Sequence, residues 1–440
     1  MVKLFYSLLV KIFYIPYCFI IFFRSFFDKE DRSRFKEKIL PNKVRRPDGY
    51  LFWFHVASIG EFNSILPLID FFLEKNKKYN FLITTVTVSS FKELKKKYKN
   101  NQRIFHQFLP YDTNFLINNF FNNWKPDIVS FVDSEIWPNF ILKIKKQGLP
   151  FVLLNARITK KTFDRWKLIK KFASELFDSF SVCISSSKET LKYLSYFNAK
   201  NIKYFGNIKF CSSVNEVKKI DNSQFDHVTK KHVWCAASIH PNEEIFCGKV
   251  QKIIKKTNHN ALLIIIPRHT NKTKKICLSL KKMGFKVQIK NENDSIDKSA
   301  EIILVNYYGS IPKYLRKINQ VFIGKSLLRK LKNVGGQNPI EAAKMGCHIY
   351  HGPYVYNFQE IYDYLDSEKF SEKINSPEIL AEKIIKNFET IPQIKSKSND
   401  KLNSYSKEIF ENVINEYQKL LKKKLKNLNF GTRNMLLSFL

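Results

Sequence analysis

Short apolar runs alternate with longer segments of mixed polarity along most of this chain. The runs have the length of buried β-strands, and the segments between them are mostly long enough for a helix, which predicts parallel sheets covered on both faces. A polar stretch at 212–231 separates two such halves and is the predicted linker. The predicted strands are residues 51–57, 81–85, 128–132, 151–154 and 181–184 in the first half, and 233–237, 262–266, 302–305, 320–323 and 347–350 in the second.

The predicted fold class is therefore α/β, with two Rossmann-like halves. A length of 440 residues, of which 44% are hydrophobic, suffices for two domains with cores of their own. Two facing domains of this kind put a cleft between their strand ends, where a nucleotide-bearing donor can meet an acceptor. We expect domains at 29–211 and 212–396, with a membrane anchor at 1–28 and a C-terminal helix and basic tail at 397–440.

The N-terminal segment departs from the pattern of a soluble protein. Residues 4–27 are almost wholly apolar and aromatic, interrupted by Lys11, Pro16 and Arg24. The uncharged part is shorter than the ~20 residues of a comfortable spanning helix, although the Lys11 side chain could reach the membrane surface. We predict a retained membrane anchor, spanning or interfacial, over the alternative of a buried core helix. The basic residues that follow would keep the body of the protein on the cytoplasmic side.

The charge of the chain indicates an anionic partner. With 75 Lys+Arg against 39 Asp+Glu, the net charge is +36, which suits nucleic acid, a phospholipid surface or a phosphorylated substrate. The lysines are spread along the whole sequence with abundant Asn, Ile, Phe and Tyr, so compositional bias accounts for part of this charge. Since no arginine-rich arm, zinc-finger spacing or RRM-type motif is present, we expect no nucleic-acid partner. The seven cysteines form no CxxC pair, which is typical of a reduced cytoplasmic protein.

One carboxylate is placed at the carboxyl end of a predicted strand. Glu61 follows the strand that ends near Ala57 and begins a helix whose apolar residues recur with helical period. Ligands bind at this edge of an open α/β sheet, so Glu61 is a candidate for chemistry. The alternative is that it merely complements the helix dipole. The apolar face of the predicted helix consists of Phe62, Ile65, Leu66, Ile69, Phe72 and Leu73.

Other polar residues also follow predicted strands. Asp133 and Glu135 could be metal ligands, as DxD-type pairs are in some glycosyltransferases, or could cap the next helix. Lys209, at the end of the first half, would come toward the interdomain cleft. In the second half, Arg268 ends a strand and suits bidentate recognition of a phosphate, although it could be an ordinary surface arginine.

Residues 335–341, Gly-Gly-Gln-Asn-Pro-Ile-Glu, predict a glycine loop that opens a helix. Asn338 is the predicted N-cap, Pro339 the first helical residue and Glu341 the third. Such helix starts bind anions, although Asn338 and Glu341 could instead form a capping-box-like pair. The two glycines favour ligand binding, because a cap alone does not need them. No P-loop, GxSxG, HExxH or GxGxxG motif is present.

Taken in order, these segments resemble the 3-deoxy-D-manno-octulosonate (Kdo) transferases of lipopolysaccharide assembly, the lipid IVA Kdo transferases. The resemblance runs from about residue 29 to about residue 365, in register, and its specificity comes from the ordered set. The matching pieces are Lys29-Glu-Asp, His55-Val-Ala-Ser-Ile-Gly-Glu61, Ile83-Thr-Thr85, Lys125-Pro-Asp127, Ser134-Glu-Ile-Trp-Pro-Asn139, Leu154-Asn-Ala-Arg157, Gly206-Asn-Ile-Lys209, Ala236-Ala-Ser238, Ile266-Pro-Arg-His269, Gly335-Gly-Gln-Asn-Pro-Ile-Glu341, Gly352-Pro353 and Asn357-Phe358.

The resemblance implies a membrane-anchored, inverting, metal-independent GT-B glycosyltransferase without a cofactor. Its donor would be CMP-Kdo, its acceptor the lipid A precursor lipid IVA, and its location the cytoplasmic face of an inner membrane, against the phospholipid surface. By the same resemblance Glu61 is the general base, and Glu135 and Lys209 assist the transition state. The residues implied to bind CMP-Kdo are Pro267, Arg268, Tyr308, Gly309, Ser310, Asn338, Pro339, Ile340 and Glu341.

Two departures from the family pattern, and two rival functions, remain. Gly309-Ser310 stands where the family usually has Gly-Glu, and Gly324-Lys325-Ser326 where it has Gly-Gly-Ser. The first could remove a donor contact, and the second puts a long cation near the nucleotide. The rivals are another GT-B enzyme that uses a UDP-sugar and a non-catalytic membrane protein that binds anionic lipid.

Overall fold

The computed structural model describes residues 2–212, 232–390 and 394–426. Except for Ser212, the predicted linker lies outside the described residues, as does the tail beyond residue 426. The chain divides into two compact units, Met1–Ser213 with Ser406–Leu440, and Val214–Tyr405. The long last helix belongs to both units, because the division falls within it.

The first unit contains a seven-stranded parallel sheet in the order β3-β2-β1-β4-β5-β6-β7. The five predicted strands are confirmed, and the central ones are buried along their whole length. The sequence pattern missed β3 and β7, because these strands form the edges of the sheet and are only partly buried. The strands are β1 Tyr50–Val56, β2 Tyr79–Thr85, β3 Ile104–Phe108, β4 Ile128–Val132, β5 Phe151–Ala156, β6 Val182–Ser185 and β7 Ile202–Tyr204.

The second unit repeats this plan, with seven parallel strands in the order β10-β11-β9-β8-β12-β13-β14. The five predicted strands are again confirmed, and the two that were missed, β10 and β14, are again the edges. The α/β class with two Rossmann-like halves is therefore confirmed. The strands are β8 Val233–Ile239, β9 Leu262–Pro267, β10 Val287–Lys290, β11 Ile302–Val305, β12 Gln320–Ile323, β13 His348–His351 and β14 Ser371–Lys373.

Helices connect the strands and cover the sheets. In α3 the predicted apolar face is buried, so the helical period read from the sequence is confirmed there. The helices are α1 Val2–Ile12, α2 Tyr14–Phe26, α3 Ile59–Lys75, α4 Val88–Lys97, α5 Asn114–Trp124, α6 Pro138–Lys146, α7 Lys160–Lys167, α8 Lys170–Phe177, α9 Lys188–Tyr196, α10 Glu243–Thr257, α11 Thr273–Lys282, α12 Ile311–Leu315, α13 Ile340–Lys344, α14 Gln359–Ser367, α15 Pro377–Thr390 and α16 Ile394–Lys426.

The N-terminal segment forms two helices instead of the single anchor helix that the sequence suggests. The axes of α1 and α2 differ by 45°, and the chain breaks between Ile12 and Tyr14. Pro16 explains the break, since it has no N–H to donate to the carbonyl of Ile12 and its ring crowds that carbonyl. Among the described helices none alone has the length and hydropathy needed to cross a membrane, whereas this bent pair meets that test together.

A buried carboxylate fixes the carboxyl edge of the second sheet. Glu243, in the first turn of α10, is fully buried and accepts four backbone hydrogen bonds. They come from His240 (2.8 Å) and Lys325 (2.6 Å) on Oε2, and from Ser326 (2.9 Å) and Leu327 (3.1 Å) on Oε1. These bonds tie the loop after β12 to the loop after β8.

Replacing Glu243 with alanine is expected to lower the free energy of unfolding by at least about 3 kcal/mol, because four N–H groups lose their acceptor. Glu244→Ala is the matched control, since the neighbouring carboxylate is also buried but, within the described residues, accepts only the Asn242 N–H at 2.6 Å. Its expected cost is about 1 kcal/mol. Urea unfolding measures both, and equal losses would contradict the role given to Glu243.

Candidate active site

Glu61 lies in the first turn of α3, directly after β1. Ser58 is the N-cap, and its Oγ accepts the Glu61 N–H at 3.3 Å. The Glu61 carboxylate accepts the Ala57 N–H at 2.7 Å and the Ser58 hydroxyl at 2.9 Å. The capping geometry is therefore present, but each carboxylate oxygen takes only one of these bonds and keeps a lone pair.

The neighbours of Glu61 raise its proton affinity. Burial raises the pKa of Glu61 above its ordinary value, and the negative charges of Asp133 and then Glu135 raise it further. Hydrogen bonds from Ala57 and Ser58 oppose this effect without cancelling it. The structure thus brings Glu61 together with Asp133 and Glu135, which are more than 70 residues away in the sequence, because β1 and β4 are adjacent strands whose carboxyl ends meet.

Glu135 is held in the ionised form. Its Oε2 accepts the Trp137 Nε1–H at 2.8 Å and, in the tautomer with the proton on Nε2, the His55 Nε2–H at 3.0 Å. Burial disfavours the charge of Glu135, but the hydrogen bonds from His55 and Trp137 outweigh it and leave the pKa below its ordinary value. His55 Nδ1 in turn lies 3.0 Å from Thr84 Oγ1.

Asp133 and Lys209 form an ion pair. Lys209 Nζ donates to Asp133 Oδ2 at 2.8 Å, and both side chains are largely buried. Asp133 has a left-handed backbone, with φ +63°, as the chain turns sharply out of β4. The pair compensates a buried negative charge next to Glu61.

The sequence left two roles open for Asp133 and Glu135, which are metal binding and capping of the next helix. Capping of the next helix is performed by another residue, since Asp112 accepts the N–H groups of Asn139 and Phe140 at the start of α6, both at 3.0 Å. For metal binding, the described residues contain no group of three or more His, Cys, Asp or Glu side chains arranged to hold an ion. Asp133 accepts the Lys209 ammonium, and Glu135 accepts the Trp137 Nε1–H.

Sequence reasoning missed His55 and Thr84 as parts of this site. Both lie within predicted strands and are fully buried. A histidine in a buried strand needs polar partners, and this was the available signal. The partner itself, Glu135, is 80 residues away and only the pairing of β1 with β4 brings it near.

In the second unit, cationic side chains gather at the carboxyl ends of β8, β9 and β12. Arg268 is exposed, and its backbone N–H donates to Ile239 O at 3.1 Å. Burial, followed by the charge of Arg268, lowers the pKa of Lys325. Burial and then Lys325, His269, Arg268 and Lys330 lower the pKa of His240 to about 4. We call Arg268, Lys325 and Lys330 the cationic edge; the imidazole rings of His240 and His269 lie beside them.

The cationic edge suits an anionic ligand. Its charges repel one another, so binding of an anion relieves that repulsion. Pro267 is the buried last residue of β9 and fixes the exit of Arg268 from the sheet. Lys325, the residue that departs from the family pattern, has φ +59° and is held in that conformation by its N–H bond to Glu243.

The loop at 308–310 combines an exposed ring with a buried hydroxyl. Tyr308 is 74% exposed, and Gly309 has φ +73°, a conformation that favours glycine. Ser310 is buried, and its hydroxyl donates to Tyr307 O at 3.2 Å. The serine that replaces the family's acidic residue therefore stabilises its own turn.

The helix predicted after Asn338 begins one residue later than expected. Pro339 is the N-cap and Ile340 the first residue of α13, while Asn338 Oδ1 accepts the Ile340 N–H at 3.0 Å. Glu341 is half-buried, and burial raises its pKa. Within the described chain it accepts no hydrogen bond from Asn338, so the reciprocal capping box does not form.

The two glycines before this helix have a packing reason. A Cβ on Gly335 would lie 2.1 Å from Tyr354 O, and Gly336 has φ +89° next to Val355. The two glycines therefore no longer favour ligand binding by themselves, because the backbone at 354–355 already requires them. Ligand binding by Asn338, Pro339, Ile340 and Glu341 stays a prediction from the resemblance.

Comparison with known proteins identifies relatives over most of the chain. Residues 30–212 match the family model of 3-deoxy-D-manno-octulosonic-acid transferase (kdotransferase). The 3-deoxy-D-manno-octulosonic acid transferase of Rickettsia bellii is 33% identical over 359 residues, which cover 80% of this chain and 82% of that protein. The enzyme of the same description from Haemophilus influenzae is 26% identical over 327 residues, covering 73% and 75% of the two chains.

Solved structures share the fold at low identity. A glycosyltransferase from Rickettsia africae ESF-5 has a TM-score of 0.51 and 14% identity, covering 86% of this chain and all of that one. UDP-GlcNAc 2-epimerase from Neisseria meningitidis, bound to UDP-GlcNAc, has a TM-score of 0.54 and 12% identity, covering 83% of this chain and 100% of that one. At this identity the likeness concerns the fold alone, and it confirms the predicted GT-B class. The sequence relatives identify the chain as a member of the 3-deoxy-D-manno-octulosonic acid transferase family, whose members are glycosyltransferases that transfer Kdo in lipopolysaccharide synthesis.

Proposed function

We propose that the protein transfers Kdo from CMP-Kdo to lipid IVA with inversion at the anomeric carbon, and that Glu61 is the general base. The observation that carries this proposal is the grouping of Glu61, Asp133, Glu135 and Lys209, in which burial and then the neighbouring negative charges raise the pKa of Glu61. A carboxylate with raised proton affinity, with one lone pair left on each oxygen, is suited to accept a proton from a sugar hydroxyl.

The reaction would proceed by direct displacement. The acceptor hydroxyl attacks the anomeric carbon of Kdo, and its proton passes to the Glu61 carboxylate. The bond between that carbon and the CMP phosphate oxygen breaks, and CMP leaves as an anion with the bonding electrons. Glu135, held ionised by His55 and Trp137, would stabilise positive charge that develops on the sugar, and the Lys209 ammonium would interact with the sugar carboxylate.

The cationic edge would bind the CMP end of the donor. Arg268, the exposed guanidinium of this group, would contact the phosphate, and Lys325 would add a second charge. These cations stabilise a leaving phosphate without a metal ion. Glu341, as an acidic side chain at a helix start, would bind the ribose hydroxyls.

The proposed location is the cytoplasmic face of the inner membrane. The apolar N-terminal helix pair supports membrane attachment, and the net charge of +36 suits an anionic phospholipid surface. Both substrates would be reached from there, since CMP-Kdo is a soluble nucleotide sugar and lipid IVA a membrane lipid.

Purified protein should convert lipid IVA and CMP-Kdo to a product heavier by Kdo, detected by mass spectrometry, and Glu61→Gln should lower turnover by ~10²–10⁴-fold. The amide keeps an acceptor for the Ala57 N–H, so protection by CMP in a thermal-shift assay should persist. Glu74→Gln, an exposed position on the same helix, is the control. Normal turnover in Glu61→Gln would leave Glu61 as a helix cap.

The same thermal-shift assay tests the rival function. Protection by UDP instead of CMP would favour a GT-B enzyme that uses a UDP-sugar.

Asp133→Asn is expected to move the acid limb of the kcat/KM profile to lower pH. Activity is lost as pH falls through the pKa of the general base, and Asp133 helps to raise the pKa of Glu61, so removing its charge lowers that pKa. Asp178→Asn, which removes a carboxylate paired with Lys145 and Lys200, is the control and should leave the limb in place. A limb that stays unmoved or moves to higher pH in Asp133→Asn would exclude Glu61 as the titrating base.

Arg268→Ala should weaken CMP binding by about 10- to 100-fold, the loss expected for a hydrogen bond to a charged group. Activity should be unchanged in EDTA, because cations of the protein are proposed to stabilise the leaving phosphate. Arg316→Ala, another exposed arginine of the second unit, controls for the change of net charge. Calorimetric titration with CMP measures the binding. If EDTA abolishes activity and Mg²⁺ restores it, the site contains a metal.

A further inference from the structure

The polarity of the N-terminal helix pair is inverted relative to an ordinary surface helix. The side that faces the protein carries most of its polar side chains, and the opposite side is apolar. More than half of the exposed large hydrophobic side chains of the described chain belong to this short segment. The protein-facing side includes Tyr6, Ser7, Tyr14, Tyr17, Cys18 and Ser25, and the outer side includes Leu4, Phe5, Leu8, Ile12, Phe13, Ile15, Phe19, Ile20, Phe22, Phe23, Phe26 and Phe27.

The inner side is attached by specific contacts along its whole length. Tyr6 OH donates to Asp112 Oδ2 at 2.8 Å, and Ser7 Oγ donates to Asn139 Oδ1 at 2.9 Å. Tyr17 stacks on Tyr111 with ring centroids 4.2 Å apart. The positions that face the protein recur every three or four residues through both helices, so the attachment is a continuous stripe.

Both ends of the pair contact the same unit. Near the beginning, Lys3 Nζ lies 3.7 Å from Glu175 Oε1 of α8. Near the end, Arg24 Nε lies 2.9 Å from Glu30, a buried carboxylate that also pairs with Lys38. A segment that crosses a bilayer carries its ends to opposite sides of a hydrocarbon layer of about 30 Å. The attached pair cannot do so without breaking the whole stripe.

The surroundings of the outer face match the headgroup region of an anionic bilayer. Leu168, which is 86% exposed, follows α7 directly. The next helix, α8, contacts α1, because its Phe172 ring lies beside the Tyr6 ring. All residues of α7 are at least partly exposed, and cations dominate it. Apolar side chains flanked by lysine and arginine are typical of helices that lie in a membrane interface. The cations within the pair or shortly after it are Lys3, Lys11, Arg24, Lys29 and Arg32, and those of α7 are Lys160, Lys161, Arg165 and Lys167.

We infer that α1 and α2 form a monotopic surface: they lie in the interface of one leaflet, with the outer face in the acyl region and the inner stripe on the protein. The partner is a lipid leaflet with anionic headgroups. This inference rests on the proposed membrane location and decides between the spanning and interfacial alternatives in favour of the latter.

Protease accessibility of both chain ends tests this topology. The full chain, with different epitopes at its N- and C-termini, is expressed in a Gram-negative host, and sealed inverted and right-side-out membrane vesicles are prepared. We expect both epitopes to be digested in inverted vesicles and both to be protected in right-side-out vesicles. An N-terminal epitope that is protected in inverted vesicles and digested in right-side-out ones would overturn the inference in favour of a spanning pair. Absence of the protein from the membrane fraction would also overturn it.

Flotation with lipid vesicles tests the lipid-facing side. Phe19→Glu/Phe23→Glu should weaken binding to phosphatidylethanolamine–phosphatidylglycerol vesicles at least about tenfold, because both rings are mostly exposed (60% and 58%) and would otherwise enter the acyl region. Leu278→Glu/Ile379→Glu, at exposed apolar positions of the second unit, is the matched control and should bind as the unchanged protein does. Equal binding of both variants would overturn the inference. Thermal midpoints verify folding, and Kdo transfer in detergent is scored separately, so failure of the topology and of the proposed function are distinguishable.

Discussion

Burial of both parallel sheets on both faces is the constraint on which the rest of the structure depends. A strand covered on two sides has no place for an unsatisfied polar group, so polar side chains concentrate where the strands end. His55 and Thr84, which do lie inside the first sheet, are paired with each other, and His55 is also paired with Glu135. The carboxyl edges therefore collect charges, and the backbone N–H groups of the loops become their partners. Glu243, with four such bonds, is the clearest case.

The carboxylates at the edge of the first sheet differ in proton affinity because their partners differ. Glu135 accepts two N–H bonds from side-chain rings, which hold its pKa down despite burial. Glu61 accepts bonds as well, but burial and two negative neighbours hold its pKa up. The Lys209 ammonium donates to Asp133, so it neutralises the charge of that carboxylate more than the charge of Glu61 or Glu135. Two acidic groups in one place with opposite shifts can play different parts, one as proton acceptor and one as fixed negative charge.

The sequence predicts the central strands well, because each is a continuous apolar run and that pattern is local. The edge strands β3, β7, β10 and β14 escape prediction, since one side of each has no neighbouring strand and burial no longer imposes an unbroken run. Glu61 and its helix were placed correctly, because capping residues act within a few positions. Its partners could not be predicted, as they depend on which strands pair. The glycines at 335–336 have a reason that the local motif does not reveal, because the backbone at Tyr354 leaves no room for a side chain at Gly335.

The N-terminal helices show why hydropathy alone could not determine their orientation. Their mean hydropathy suits a membrane span, yet the hydroxyl groups of Tyr6 and Ser7 find partners in Asp112 and Asn139. Asp112 also accepts the first N–H groups of α6, the helix that begins directly after Trp137. The carboxylate that anchors α1 therefore also fixes the segment from which Trp137 donates to Glu135. The buried carboxyl group of Asp112 thus has partners on both α1 and α6, and removing α1 would leave it with one donor fewer next to the candidate site. These helices are therefore a structural part of the first unit in addition to their proposed contact with lipid.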